Sequence, residues 1–319
     1  MNSNIARLLK DGSKPIEQRA AELAELLPSI GDTLNLHYNN IGAEGAKALS
    51  TALPMMTSLV TLDLDWNKIG DEGAKALSTA LPMMTLLVTL DLSENIIGAD
   101  GVKALSTALP MMTSLTNLNL RSISIGDGSA KAFSKALPMM TSLVTLDLGF
   151  NFIGDKGAKA LSTALPMMTC SLANLCLSHN HIGAEGAKAL SSAIPMMTSL
   201  VTLDLRDNYI RANGAKALCD VLIDNFSLVS LYCTDSSDSS DSTVRALIQS
   251  SLARNKLIAV DRQLREERWV RRRHLLLTAK TLSGSLPLIA ADGSLIPVVT
   301  AMRIVVGIEG IIRHLAAYL

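Results

Sequence analysis

Leucine returns in one column of this chain at a nearly constant interval. Leu34, Leu62, Leu90, Leu118, Leu146, Leu175, Leu203 and Leu231 stand 28 residues apart, and 29 once. A period of that length means stacked supersecondary units rather than an irregular globule. Within one unit, Leu62-Asp63-Leu64 alternates with period two and reads as a short strand with its leucines on one face. Ala74, Leu77 and Leu81 follow at helical spacing as an apolar stripe. Pro82 cannot continue that helix, so it is expected to close the unit and return the chain to the next strand.

One unit is too small to stand alone, because its few large apolar side chains cannot offset the cost of ordering its backbone. Stacking solves this by joining the strands into one parallel sheet. The composition fits: 48% of the residues are apolar, yet only ten are aromatic, so Leu and Ala do the packing. Asn39, Asn67, Asn95, Asn151, Asn180 and Asn208 fill one column just after the strand. An inward amide is tolerated only with its donors and acceptor satisfied, so this column is expected to bond the backbone of adjacent units as a ladder. Repeat four departs from the pattern, with Ile123 in the Asn column, Ser129 in the Gly column and Phe133 in a Leu column.

The pattern L-x2-L-x-L-x2-N-x-I-x3-G-x3-L-x3-L resembles the ribonuclease-inhibitor-like class of leucine-rich repeats. The wording "NNIGAEGAKALSTAL" is most similar to the repeat domains of NOD-like receptors. The resemblance implies an α/β leucine-rich-repeat solenoid, a horseshoe with parallel strands on the concave face and helices on the convex face. It also implies a protein partner on the concave face. The expected organisation is an N-terminal capping helix in 1–33, about eight repeats in 34–241, a helical C-terminal cap with a basic helix in 242–283, and an apolar tail in 284–319. No nucleotide-binding domain precedes the repeats, so a complete receptor of that type is not expected.

Charge is balanced overall, but nine basic and three acidic residues fall between Arg254 and Lys280, leaving the repeat body acidic. The segment 262–274, RQLREERWVRRRH, could hold nucleic acid, an acidic membrane surface or an import receptor; a solvated helix face is the favoured reading. Four cysteines without framework spacing, and no apolar leader, point to reduced thiols and a cytoplasmic address, with the nucleus open. No apolar run is long enough to span a membrane.

Three motifs invite chemistry and lose to plainer readings. The loop IGDEGAKAL opens a helix after a strand, but its glycines are too close for a phosphate loop, and close packing accounts for them. Cys176, His179 and His181 could approach one another, yet Asn180 between them is the ladder residue and no orienting group for a catalytic pair is evident. The six methionine pairs, Met55-Met56 through Met196-Met197, read as core filling between helix and strand. Neither a metal nor a cofactor is called for, and no catalytic residue is assigned.

What varies over the fixed scaffold is more informative. Residues flanking the strand leucines point away from the core. Their columns give the candidate partner-binding set: His37, Tyr38, Asp63, Asp65, Trp66, Asp91, Glu94, Arg121, Asp147, Phe150, Phe152, His179, His181, Asp204, Arg206 and Tyr209. Five of the ten aromatics and three of the five histidines fall here. Aromatics mixed with charges are the composition of a binding face. The acidic column repels phosphates, so nucleic acid is disfavoured, and no small-molecule substrate is suggested. The function expected is a non-enzymatic protein-interaction scaffold. The alternative is a GTPase-activating protein of the Ran-GTPase-activator type, which uses similar repeats, and a third reading makes IEGIIRHLAAYL a hook for a partner.

Overall fold

The computed structural model describes residues 2–26, 31–168, 172–222, 225–233, 249–253 and 255–256. The expected basic helix and apolar tail lie outside the described residues. Eight three-residue strands form one parallel sheet in sequence order: β1 (Thr33–Asn35), β2 (Thr61–Asp63), β3 (Thr89–Asp91), β4 (Asn117–Asn119), β5 (Thr145–Asp147), β6 (Asn174–Cys176), β7 (Thr202–Asp204) and β8 (Ser230–Tyr232). Register is set by the repeat itself. Leu34 lies beside Leu62 and Leu62 beside Leu90, so one leucine column forms a continuous buried row.

Helices α1 (Asn2–Lys10) and α2 (Ile16–Leu26) precede the sheet, where the sequence suggested a single helix. Then α3 (Gly42–Ala52), α4 (Gly70–Ala80), α5 (Ala99–Ala108), α6 (Asp127–Ser134), α7 (Asp155–Ala164), α8 (Ala184–Ala193) and α9 (Arg211–Leu222) alternate with the strands. Each packs on the helix before it, and one core cluster contains the leucines of both layers. The glycine column exists for that packing. A Cβ on Gly73 would stand 2.5 Å from Ile69 Cγ2 and 3.0 Å from Ala46 Cβ of the preceding helix.

Neighbouring helix ends are also wired together. Asp127 at the start of α6 accepts the N–H groups of Gly154 (2.8 Å) and Gly157 (2.7 Å) at the start of α7. Asp155 does the same for Gly183 (2.8 Å) and Gly186 (2.7 Å) at α8. A carboxylate at a helix N-terminus satisfies amides that have no partner within the helix. Here each such carboxylate comes from the preceding repeat.

The asparagine ladder is made as the sequence implies. Asn67 Oδ1 accepts from the amides of Asn39 (3.1 Å) and Ile41 (3.3 Å), while its Nδ2 donates to the carbonyls of Leu36 (2.8 Å), Leu64 (2.8 Å) and Asp65 (3.0 Å). Asn95 and Asn151 repeat the set. At repeat four the rung is missing. Ile123 is fully buried, and the amides of Asn95 and Ile97, which the pattern assigns to it, have no acceptor among the described residues.

One expectation holds and one needs correcting. The α-helix stops before the proline, at Ala52 and Ala80, and the proline sits inside a 3-10 turn, Leu53–Met55 and Leu81–Met83, that leads toward the next strand. That turn splits the methionine pairs. Met56, Met84, Met112, Met140, Met168 and Met197 are buried. Their partners Met55, Met83, Met111, Met139, Met167 and Met196 are 59–62% exposed. Only one methionine of each pair is core. The other ends the 3-10 turn, and the buried methionine follows it with the backbone changed, at φ −90° and ψ 60° for Met56, so the two side chains part.

At the far end, residues 249–253 are helical and Leu252 packs on the core. Asn255 is fully buried, and its Nδ2 donates to the carbonyls of Asn225 (3.0 Å) and Leu228 (2.6 Å) beside β8.

Candidate functional site

The open face of the sheet is built by one short-range device. In six of the eight strands an Asx residue ends the strand and accepts the N–H two residues on: Asn35 from His37 (3.0 Å), Asp63 from Asp65 (3.1 Å), Asp91 from Ser93 (2.9 Å), Asn119 from Arg121 (3.1 Å), Asp147 from Gly149 (2.7 Å) and Asp204 from Arg206 (3.0 Å). Short polar side chains favour such turns. The column that sequence reading treated as an acidic stripe is therefore first a turn-forming column. This also explains why Asn substitutes for Asp there. Asp204 is 8% exposed, and burial together with neighbouring carboxylates raises the pKa of Asp63 above the ordinary range. In repeat six Cys176 stands in this column, and its Sγ lies against Ser178 Oγ at 3.2 Å.

The turn delivers the next residue into the left-handed region. Tyr38, Trp66, Glu94, Ser122, Phe150, His179 and Asp207 all have φ between +52° and +56°. Such backbone is uncommon outside glycine and costs roughly 1–2 kcal/mol per residue. It persists because the following repeat holds each amide: Tyr38 donates to Asp65 O (2.9 Å), Trp66 to Ser93 O (3.1 Å), Phe150 to Ser178 O (2.9 Å) and His179 to Arg206 O (2.8 Å). The consequence is a row of side chains aimed outward. Tyr38 is 70% exposed, Trp66 50% and Phe150 38%.

These side chains form two groups. At the N-terminal end the Tyr38 and Trp66 rings are 5.8 Å apart, and His37 Nδ1 is 3.0 Å from Asp65 Oδ2. Further along, the Arg121 guanidinium lies 3.6 Å over the Phe150 ring, with its Nε 3.8 Å from Glu94. Phe150 stacks on His179 at 3.8 Å, and His179 Nε2 reaches Asp207 at 3.1 Å. Phe152, His181 and Tyr209 continue beside them at 5.7 and 5.8 Å between rings. Arg206 pairs with Asp204 (2.6 Å) and lies 5.0 Å over Tyr232.

All sixteen sequence-selected residues thus lie along this face or its turns, but in different environments. Asp63, Asp91, Asp147 and Asp204 shape the turns, whereas the rings and Arg121 are presented. Cys176, His179 and His181 face different neighbours, so they do not converge on one point. Sequence reading missed Tyr232 and the outward column Thr33, Thr61, Thr89, Asn117, Thr145, Asn174, Thr202 and Ser230. Period-two alternation around each leucine was the available signal for that column. A cleft of about 910 Å³ lies between α1 and α2, lined by Arg7, Lys10, Lys14, Glu22 and Glu25. It is remote from the sheet face, and Lys14 and Glu22 pair across it at 2.6 Å.

The fold and this face together define a leucine-rich-repeat solenoid. Six segments, 33–50, 56–78, 84–106, 140–162, 170–191 and 197–219, match the family model described as Leucine Rich repeat. The matched segments pass over 107–139, which holds Ile123, Ser129 and Phe133. Among solved structures, the chain is similar to the leucine-rich repeat-containing protein LegL7 from Legionella pneumophila (20% identity, 73% of this chain and 77% of that one, TM-score 0.45). It is also similar to leiomodin-1 actin-binding site 2 (18%, 62% and 96%, 0.41) and to the Caenorhabditis elegans tropomodulin C-terminal domain (13%, 60% and 98%, 0.41). No curated protein sequence matches significantly. No described helix is long and apolar enough to cross a membrane.

Proposed function

We propose that this protein is a non-enzymatic interaction scaffold that binds a protein partner on the open face of its sheet, with repeats of the ribonuclease-inhibitor-like type. The observation that carries the reading is the left-handed column. Seven repeats hold a non-glycine residue in a costly conformation, and in Tyr38, Trp66 and Phe150 the residue so displayed is a large ring. A folded chain keeps such strain where it serves a purpose, and exposed aromatics beside charged groups are how protein interfaces anchor. The rigid stacking of repeats pre-organises these rings, which lowers the entropy lost on binding.

The test is comparative. Trp66→Ala with Phe150→Ala should abolish capture of a defined partner while leaving the far-UV circular dichroism unchanged. Lys75 and Lys103, on helices α4 and α5, should tolerate replacement by alanine. Loss of capture from the lysine pair, with the aromatic pair silent, would move the interface to the helices.

A further inference from the structure

The face already shows how it holds a guanidinium, and it does so twice. Arg121 lies over Phe150 at 3.6 Å with Glu94 at 3.8 Å, and Arg206 lies over Tyr232 at 5.0 Å with Asp204 at 2.6 Å. Each arrangement combines one ring and one carboxylate. In the first, the arginine comes from one repeat and the ring from the next.

Trp66 occupies the same column as Phe150, with φ of +55° against +52°. The repeat before it supplies His37 where the repeat before Phe150 supplies Arg121, and His37 turns to Asp65 instead of covering the ring. Among the described cations only Arg121 and Arg206 lie over rings, so Lys68, two residues along, covers neither Trp66 nor Tyr38. Carboxylates are nevertheless concentrated here. Asp63 is bonded by Asn35 (2.8 Å), Asp65 by Ser93 (2.9 Å) and His37, and Asp91 by Asn119 (2.8 Å), none of which carries a fixed positive charge. Glu94, next to Trp66 in the column, has Arg121 at 3.8 Å as its one ion-pair partner among the described residues. Arg121 is already committed to Phe150 and Glu94, which leaves Lys68 as the neighbouring cation in sequence against four carboxylates.

We infer that the Tyr38–Trp66 pair is a subsite for an arginine side chain of the partner, stacked on the Trp66 ring and drawn in by Asp63, Asp65, Asp91 and Glu94. The inference deepens the proposed function and rests on it. Arginine suits the site better than lysine, because a planar guanidinium can stack on a ring and bond a carboxylate in the same pose. A partner segment presenting arginine without adjacent acidic residues is the kind that fits.

The probe is acetyl-Gly-Arg-Gly-amide, titrated into the full chain labelled with 5-fluorotryptophan. The chain has two tryptophans, Trp66 and Trp269, and Trp269→Phe assigns the two fluorine signals. The arginine peptide should move the Trp66 signal saturably, and the citrulline peptide, equal in shape but uncharged, should bind about threefold to fivefold more weakly. Asp63→Asn with Glu94→Gln should weaken the arginine peptide by a similar factor while leaving the far-UV circular dichroism unchanged. Equal titrations by arginine and citrulline, or by arginine and lysine peptides, would overturn the assignment. If the probe fails while partner capture still depends on Trp66 and Phe150, the arginine subsite falls and the interaction face stands. If the probe titrates while that capture survives the double alanine variant, the subsite stands and the proposed interface falls.

Discussion

Ile123→Asn should stabilise the protein, although it places a polar residue at a fully buried position. The asparagine would stand where every complete rung has one. Its Oδ1 would reach the amides of Asn95 and Ile97, which lack acceptors, and its Nδ2 would reach the carbonyls equivalent to those bound by Asn151. Leaving a buried amide unpaired costs roughly 1–3 kcal/mol, so two such amides represent about 2–6 kcal/mol. Removing the isoleucine forfeits about 1.5–3 kcal/mol of burial. Taking the middle of each range, the balance favours the variant by about 2 kcal/mol, a rise of several degrees in the unfolding midpoint for a body of this size. The assay is thermal and urea unfolding of the full chain followed by circular dichroism, with Asn151→Ile as the reverse substitution. That variant removes the acceptor of Ile123 (3.2 Å) and Ile125 (2.8 Å) and should lower stability. A neutral or destabilising Ile123→Asn, alongside a harmless Asn151→Ile, would refute the view that the ladder holds the repeats together.

Mild peroxide should oxidise Met55, Met83, Met111, Met139, Met167 and Met196 well before their buried neighbours, and peptide mass mapping reads the order directly. Asp63→Asn should raise stability at neutral pH. The folded-state pKa of Asp63 lies above its unfolded value, so its ionisation weakens the fold as pH rises through that range, and the gain should vanish when the pH falls below it. Cys219, pushed up to about 11 by burial with Asp220 adding to it, should resist iodoacetamide at mildly alkaline pH until the protein unfolds. Truncation after residue 241 removes Leu252 and Asn255 from the end of the core and should make the protein aggregate more than the full chain does, as light scattering would show.

The scaffold was legible because its signal is repeated. A leucine column at constant spacing leaves one parallel arrangement that buries it, and the asparagine column declared its own backbone partners. Other features depended on geometry that residue types do not announce. Asp63, Asp91, Asp147 and Asp204 look like a charge pattern, but their first role is an Asx turn, visible only once the amide two residues on is located. The methionine pairs look identical in sequence, and the 3-10 turn decides which member is buried. Tyr232 was overlooked because repeat eight keeps Leu231 but replaces the Asx residue after it by tyrosine and its second leucine by Cys233, yet β8 forms and brings Tyr232 under Arg206. The candidate residues were found as columns. Their division into turn-formers and displayed rings required the backbone angles.

The central claim is that the left-handed ring column is the binding surface. The most direct measurement is affinity of one purified partner for three forms of the full chain: unmodified, Trp66→Ala with Phe150→Ala, and Lys75→Ala with Lys103→Ala. Truncating two anchoring rings should cost roughly 2–4 kcal/mol, or about thirtyfold to a thousandfold in Kd. The lysine pair should change affinity by less than about threefold. Unchanged affinity in the ring variant, or a larger loss in the lysine variant, would contradict the account.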